Sequence, residues 1–334
     1  MLRIILRRIF ILIPMLVLLS MISFIIIQLP PGDYLSSYVN RLESQGLKVD
    51  QAEIQRLEQR YGLGKPLYTQ YFRWLRNFIV SGDLGRSFGS YGSSHDNKPV
   101  SDIIMERLPA TMIISIVSTI VVWAIAIPIG IYSATHQYSL MDYLSIFIGF
   151  IGLAIPNFLF AIIIMWIVFA QTGHAVTGLF SLEFKHAPWS IAKIIDMLKN
   201  VWVPVLVLAT AGTAGLIRVM RANLLDELNK QYVVTARAKG LSERRLLWKY
   251  PVRIAFNPIF STIGWLLPAM VGGEALVSII LNLQTIGPVL LTAVLRQDMY
   301  LAGSIIMILS ALTLIGTLIS DIALVWLDPR IRYD

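Results

Sequence analysis

Few residues of this chain have the type and spacing to do chemistry. Cys is absent, which excludes thiolate metal sites, disulfides and a cysteine nucleophile. The four histidines, His95, His136, His174 and His186, are scattered and form no HExxH pattern. The stretch "GLGKPL" lacks the spacing and the hydroxyl of a phosphate-binding GxxxxGK(S/T) loop. Neither a paired-carboxylate nor a Ser/His/Asp arrangement can be assembled inside the apolar segments. One acid does stand deep in such a segment, Glu274 in "MVGGEALVS". A charge within a membrane is costly and marks a functional site by default. Glu274 is therefore a candidate site residue; in a transporter it would line the pathway, with Gly273, Ser278 and Asn282 near it and Asn157 from an earlier segment. Two plainer readings stand beside this one: water reaches Glu274 near an outer mouth, and the glycines let helices pack closely. A single acid does not make a proton relay.

The second candidate is basic. Between Arg218 and Arg253 stand nine Lys or Arg against three acids, Asp226, Glu227 and Glu243, an excess of +6 in a chain of net charge +8. Leu224, Leu225, Leu228 and Tyr232 recur at three- and four-residue spacing and predict one apolar helical face. Thr235, Ala236 and Ala238 are small, so another surface can approach the backbone between Arg237 and Lys239. Gly240 is expected to end this helix, as a glycine just past a helix end commonly does. Leu241 follows; Ser242 is expected to cap the next helix, with Glu243 favourably placed in its first turn. There Leu246, Leu247 and Tyr250 oppose Arg244, Arg245 and Lys249. Two short helices around a glycine elbow suit a groove on a protein partner. They suit a position on anionic lipid equally well.

The elements that hold these residues are membrane helices. Hydrophobic residues make up 56% of the chain and charged ones 14%, with a mean hydropathy of +0.68; a soluble domain carries about 25% charged residues. The hydropathy pattern predicts an all-α polytopic membrane protein of six spans, near Ile9–Leu29, Ala110–Ser133, Tyr143–Phe169, Val201–Val219, Phe256–Leu281 and Leu301–Leu327. Gly264, Pro268, Gly272 and Gly273 interrupt the fifth. The first follows Arg3, Arg7 and Arg8 and outruns the ~7–15 apolar residues of a cleavable signal, so it reads as an uncleaved anchor. Residues 30–107, with ten basic and nine acidic side chains, form a hydrophilic insert of short helices. With the N-terminus inside, the inner segments carry fourteen Lys or Arg and the short outer ones four. Both termini and the basic loop, 220–254, are therefore expected in the cytoplasm and the insert outside. Basic charge confined to one loop argues against a nucleic-acid partner. The expected organisation is 1–29, the N-terminus and first span; 30–107, the insert; and 108–334, a core of five spans.

Several stretches resemble one family. "TARAKGLSERRLL" is similar to the cytoplasmic EAA loop of binding-protein-dependent ABC importer permeases, and more narrowly to the dipeptide/oligopeptide branch. Val234 departs from the general motif, standing where many relatives place glutamate. "RYGLGKPLYTQYFRWLRNFIVSGDLGRSF" resembles the family's extracellular segment, "RLPATMIISIVSTIVVWAIAIPIGIYSA" its second span, "PNFLFA" part of its third and "LDPRIRYD" its ending. Together they cover nearly the whole chain in the expected order.

The resemblance implies a transport subunit rather than an enzyme, multi-pass in a bacterial or archaeal cell membrane and surrounded by lipid. It implies a second, related permease, two cytoplasmic ATPase subunits that hold ATP and Mg, and an external substrate-binding protein. The loop of Thr235, Ala236, Arg237, Ala238, Lys239, Gly240, Leu241, Ser242, Arg244 and Arg245 would be the coupling helix between the fourth and fifth spans. The implied cargo is a peptide; relatives in this branch also carry oligosaccharides, nickel or other small solutes. An ion-coupled secondary transporter is the rival from another class, but it calls for inverted repeats and several buried ionisable residues. A membrane enzyme lacks a catalytic constellation here.

Overall fold

The computed structural model describes residues 2–28, 65–87, 98–173, 178–181, 183–184, 187–264, 275–296 and 298–327. Gly273, Glu274, Pro268, most of the insert and the terminal "DPRIRYD" lie outside the described residues. The described part is helical, with one isolated bridge between Arg86 and Pro99. The elements are α1 Leu2–Gln28, α2 Leu67–Arg76 with a π-helical turn at Asn77–Ser81, α3 Val100–Thr135, α4 Leu140–Ala154, α5 Asn157–Thr172, α6 Ile191–Asn200 and α7 Trp202–Leu228. There follow α8 Gln231–Ala238, α9 Glu243–Lys249, α10 Pro251–Ala255, α11 Asn257–Ser261, α12 at 275–280, α13 Ile286–Leu295 and α14 Met299–Leu327. They form two compact units: Met1–Ile5 with Ala110–Thr285 and Thr313–Asp334, and Leu6–Pro109 with Ile286–Leu312.

Among the described residues three helices are long and apolar enough to cross a membrane, Val100–Thr135, Trp202–Leu228 and Tyr300–Leu327, and α4 with α5 forms a fourth span if the bent pair counts as one. The stretch expected as the third span is two helices bent by 99°. Pro156 is the cause: it has no N–H to continue α4, and its ring pushes Ile155 to an extended backbone, φ −86, ψ 119. The expected fifth span begins with a short helix, α11, directly after the short α10, and Pro258 and Pro251 stand at their starts. The second span runs back to Val100, into the region assigned to the insert.

In the smaller unit, Phe24 of α1 packs against Tyr71 and Trp74 of α2, and Ser20 shares a buried 2.7 Å hydrogen bond with the Tyr71 hydroxyl. The loop after α2 reaches the start of α14. Gly85, at φ +86, lies so close to Tyr300 that a Cβ would fall 2.8 Å from its ring, and the Ser87 hydroxyl donates to Asp298 at 2.5 Å.

In the larger unit α7 is the central post. Its first half carries Val203, Val205 and Val207 into an apolar cluster with Ile114, Ala161, Leu179, Met197 and Leu281. Its second half carries Met220 and Leu224 into another with Ile131, Ala134, Val252, Ala255 and Ile259. Backbones approach closely at small residues: a Cβ on Gly130 would stand 2.8 Å from Met220, and one on Gly264 2.8 Å from Thr317.

Candidate functional site

The elbow stands at the end of α7. Helix α7 runs to Leu228, past the expected end of the fourth span at Val219, and stops there. Lys230 is extended, at φ −73 and ψ 147, and α8 restarts at Gln231. The apolar spacing from Leu224 to Tyr232 therefore belongs to two helices rather than one. Leu224, Leu225 and Leu228 join the cluster around α7, while Tyr232 joins the elbow.

Helix α8 closes as a glycine-ended helix should. The Gly240 N–H donates to the Arg237 carbonyl at 3.0 Å, and the Leu241 N–H to that of Ala236 at 3.4 Å. These are the paired reverse bonds of a Schellman motif, which requires a left-handed residue. Gly240 supplies it at φ +80, and a Cβ placed there would meet no atom within 4 Å. Glycine is thus demanded by the backbone angle, not by crowding.

Leu241 then folds back onto a small core of Val233, Ala236 and Leu246, edged by Tyr232 and Tyr250. Ser242 occupies the N-cap position of α9 but its hydroxyl makes no capping bond. The Glu243 carboxylate is turned toward Arg237 instead: Nε donates to Oε1 at 2.6 Å and Nη2 to Oε2 at 3.1 Å. This fork closes the elbow from outside. The guanidinium holds the Glu243 carboxyl below its ordinary range.

The outward face presents Thr235, Arg237, Ala238, Lys239, Gly240, Ser242, Arg244 and Arg245. Ala236, expected to face a partner, is buried and belongs to the elbow's own core, and Leu241 is half-buried. Val234 is exposed, as is Trp248, which sequence reasoning passed over. Its signal was its place two residues beyond Leu246, which at ~3.6 residues per turn puts the two on opposite sides of a helix. Behind the elbow lies a groove of about 580 Å³ lined by Tyr232, Thr235, Lys239, Tyr250 and Arg253 among others. Arg253 donates to the Leu327 carbonyl at the end of α14, at 2.9 Å.

The elbow is joined to α7 through the Tyr232 hydroxyl, which donates to Glu227 at 2.5 Å. Higher on α7, Arg221 forks onto Asp142 at the start of α4, with both bonds at 2.9 Å, and donates to the Ser133 hydroxyl of α3 at 3.0 Å. Ser133 also donates to Asp142, and the Tyr138 N–H bonds the second carboxylate oxygen at 3.0 Å. Asp142 is 1% exposed. In the sequence this acid falls between the expected second and third spans, just ahead of Tyr143.

Three of the five candidate pathway residues are described, and no hydrogen bond joins them to one another among the described residues. Ser278 is buried and accepts from Thr285 at 2.9 Å. Asn282 is exposed at φ 52, in the left-handed position that ends α12. Asn157 opens α5 directly after Pro156.

Residues 126–333 match the family model of the binding-protein-dependent transport system inner membrane component. Residues 1–115 match the companion model, "Binding-prot-dependent transport system membrane comp, N-term". The chain belongs to this family. It is 37% identical to the oligopeptide transport system permease protein AppB of Bacillus subtilis, over 98% of this chain and 99% of that one. It is 30% identical to the inner membrane ABC transporter permease protein YejB of Escherichia coli O157:H7, over 98% of each chain. To the oligopeptide transport system permease protein OppB of Haemophilus influenzae it is 28% identical over the full length of both. As an inner membrane component of this family, the chain pairs an elbow of this geometry with membrane-capable helices.

Proposed function

We propose that the chain is a permease subunit of an ATP-driven importer of peptides, with the elbow at Gly240 as its coupling helix. The observation that carries this is the Schellman-closed elbow, whose outward face is small and basic, on a chain of this family. Such a face offers a partner close backbone approach at Ala238 and Gly240, and charge from Lys239, Arg244 and Arg245. Its core of Val233, Ala236 and Leu246 lets it move as one piece.

Two cytoplasmic ATPase subunits bind ATP and Mg and seat the elbow; a second, related permease completes the pathway; an external binding protein delivers cargo to the insert at 30–107. The chain crosses the membrane six times, through α1, α3, the bent pair α4–α5, α7, the stretch Phe256–Leu281 and α14, with both termini and the elbow in the cytoplasm. Glu274 and Gly273 lie on the pathway within the fifth crossing, with Asn282 near its end and Asn157 from the third; Ser278, turned inward onto Thr285, shapes the fifth crossing instead. Peptide cargo rests on the relatives named for oligopeptide transport.

Uptake into liposomes tests the proposal. Labelled di- and oligopeptides should enter only when the chain is reconstituted with its partner permease, ATPases, binding protein and ATP. Uptake by the chain alone, driven by an ion gradient, would identify a secondary transporter. ATP-dependent uptake of oligosaccharide but not peptide would keep the machine and change its cargo.

A further inference from the structure

We propose that Arg221 is a positioning residue that makes α4, the first half of the bent third span, follow the elbow, and so sets how much cargo moves for each ATP hydrolysed. This rests on the elbow's role as the coupling helix.

The route is continuous. Tyr232 of the elbow bonds Glu227 near the end of α7, and Arg221 stands six residues, under two turns, before Glu227 on the same helix. From Arg221 the fork reaches Asp142 on α4 and Ser133 on α3, residues 79 and 88 positions away in sequence. The acceptors are committed: Asp142 takes both arms of the guanidinium, the Ser133 hydroxyl and the Tyr138 N–H. That pattern fixes register, because a planar fork matched to a carboxylate tolerates little sliding.

Elsewhere the α4–α7 seam is packed through apolar and small residues, Gly149 against Ala214 and Gly152 against Thr210. Among the described residues the fork is the hydrogen-bonded tie between α4 and α7, and it adds a directional lock to that close packing. The far end of α4 is separated from α5 by a break. Ile155 N–H makes the last bond of α4, and the Leu159 and Phe160 N–H groups begin α5 by bonding Pro156. The 99° bend between them lets α4 shift while α5 stays with the first half of α7, where Ala161 is packed. A displacement of the elbow would thus be delivered to one half of the span, with the ion pair setting its register.

The test uses the complete importer in liposomes, with ATP hydrolysis, peptide uptake and retention of the ATPases measured together. R221Q and D142N should keep their ATPases and hydrolyse ATP while uptake per ATP falls about tenfold, within the ~0.5–2 kcal/mol span over which such linking residues modulate coupling. R221K keeps the charge but loses the fork, and should fall about threefold by the same scale. The exchanged pair D142R/R221D should recover part of the ratio. An unchanged ratio in the assembled variants overturns the proposal. If R221Q and D142N fail to assemble, R221K decides alone: a wild-type ratio there is fatal. A Lys239→Cys cross-link to the ATPase reports separately on the elbow. Its absence defeats the coupling reading, whereas its presence with an unchanged ratio defeats only the role of Arg221.

Discussion

Two arginine–carboxylate forks in this chain look alike and do different work. Arg237 meets Glu243 at 2.6 and 3.1 Å, and Arg221 meets Asp142 at 2.9 Å through both arms. The first has the shortest single bond of the two forks. Yet its side chains are 51% and 67% exposed, against 24% and 1% for Arg221 and Asp142. Water and salt screen the exposed pair, which also spans only six residues and closes an elbow already shaped by Gly240. The buried pair spans 79 residues and, with Ser133, ties three helices. Burial and sequence separation, rather than distance, rank the two. Removing one partner from the buried fork strands a charge in a poorly solvated site; removing one from the exposed fork returns a charge to water.

The largest expected effect follows from that asymmetry. D142N or R221Q should destabilise the chain by about 3–5 kcal/mol, the usual cost of breaking a buried pair from one side. The double variant D142N/R221Q should recover much of the loss, since no orphan charge remains. Thermal unfolding of the purified protein in detergent measures both. A loss as small as that of E243Q would break the comparison. Next comes Gly240→Ala. The space around the glycine is open, so its cost is the left-handed backbone alone, about 1–2 kcal/mol for a residue with a Cβ. Because the strain is confined to the elbow, it should appear in co-purification of the ATPases and leave the main unfolding transition in place. A shift of that transition would show that the elbow is not a separate piece.

What could be read from the sequence follows the same division between local and distant. The elbow was legible because its determinants are neighbours: apolar residues at helical spacing and a glycine within a few positions, although Ser242 does not make the capping bond expected of it. The apolar helices were legible because hydropathy is a local sum. The bend at Pro156 was not, although the proline stood in view, because hydropathy records how apolar a stretch is and not its direction. The end of α7 was missed because Leu224, Leu225, Leu228 and Tyr232 keep helical spacing across a break at Asn229 and Lys230. Asp142 was missed for a stronger reason. An acid at the start of a helix has an ordinary local explanation, and nothing near it announces an arginine 79 residues on. Trp248 is recoverable by counting turns, and Ala236 is buried because helical phase, not small size, decides which way a residue of α8 faces.

The smallest effect belongs to E243Q, and it sharpens the comparison most cheaply. Glutamine keeps an oxygen for Arg237 and loses only the charge. If Glu243 does no more than close the elbow, the variant should bind the ATPases within about twofold of wild type, as expected for an exposed pair. High salt should mimic it, because screening weakens the same attraction. The pH dependence has a definite sign. Arg237 holds the Glu243 carboxyl below its ordinary value, so the pairing is complete at neutral pH and is lost only as pH falls through that lowered value. Docking measured between pH 6 and 8 should therefore be flat with respect to this pair, in wild type and variant alike. A large loss that salt cannot reproduce would mean that Glu243 touches the ATPase directly. The exposed fork would then be a recognition element, and its exposure the condition for its function rather than the measure of its weakness.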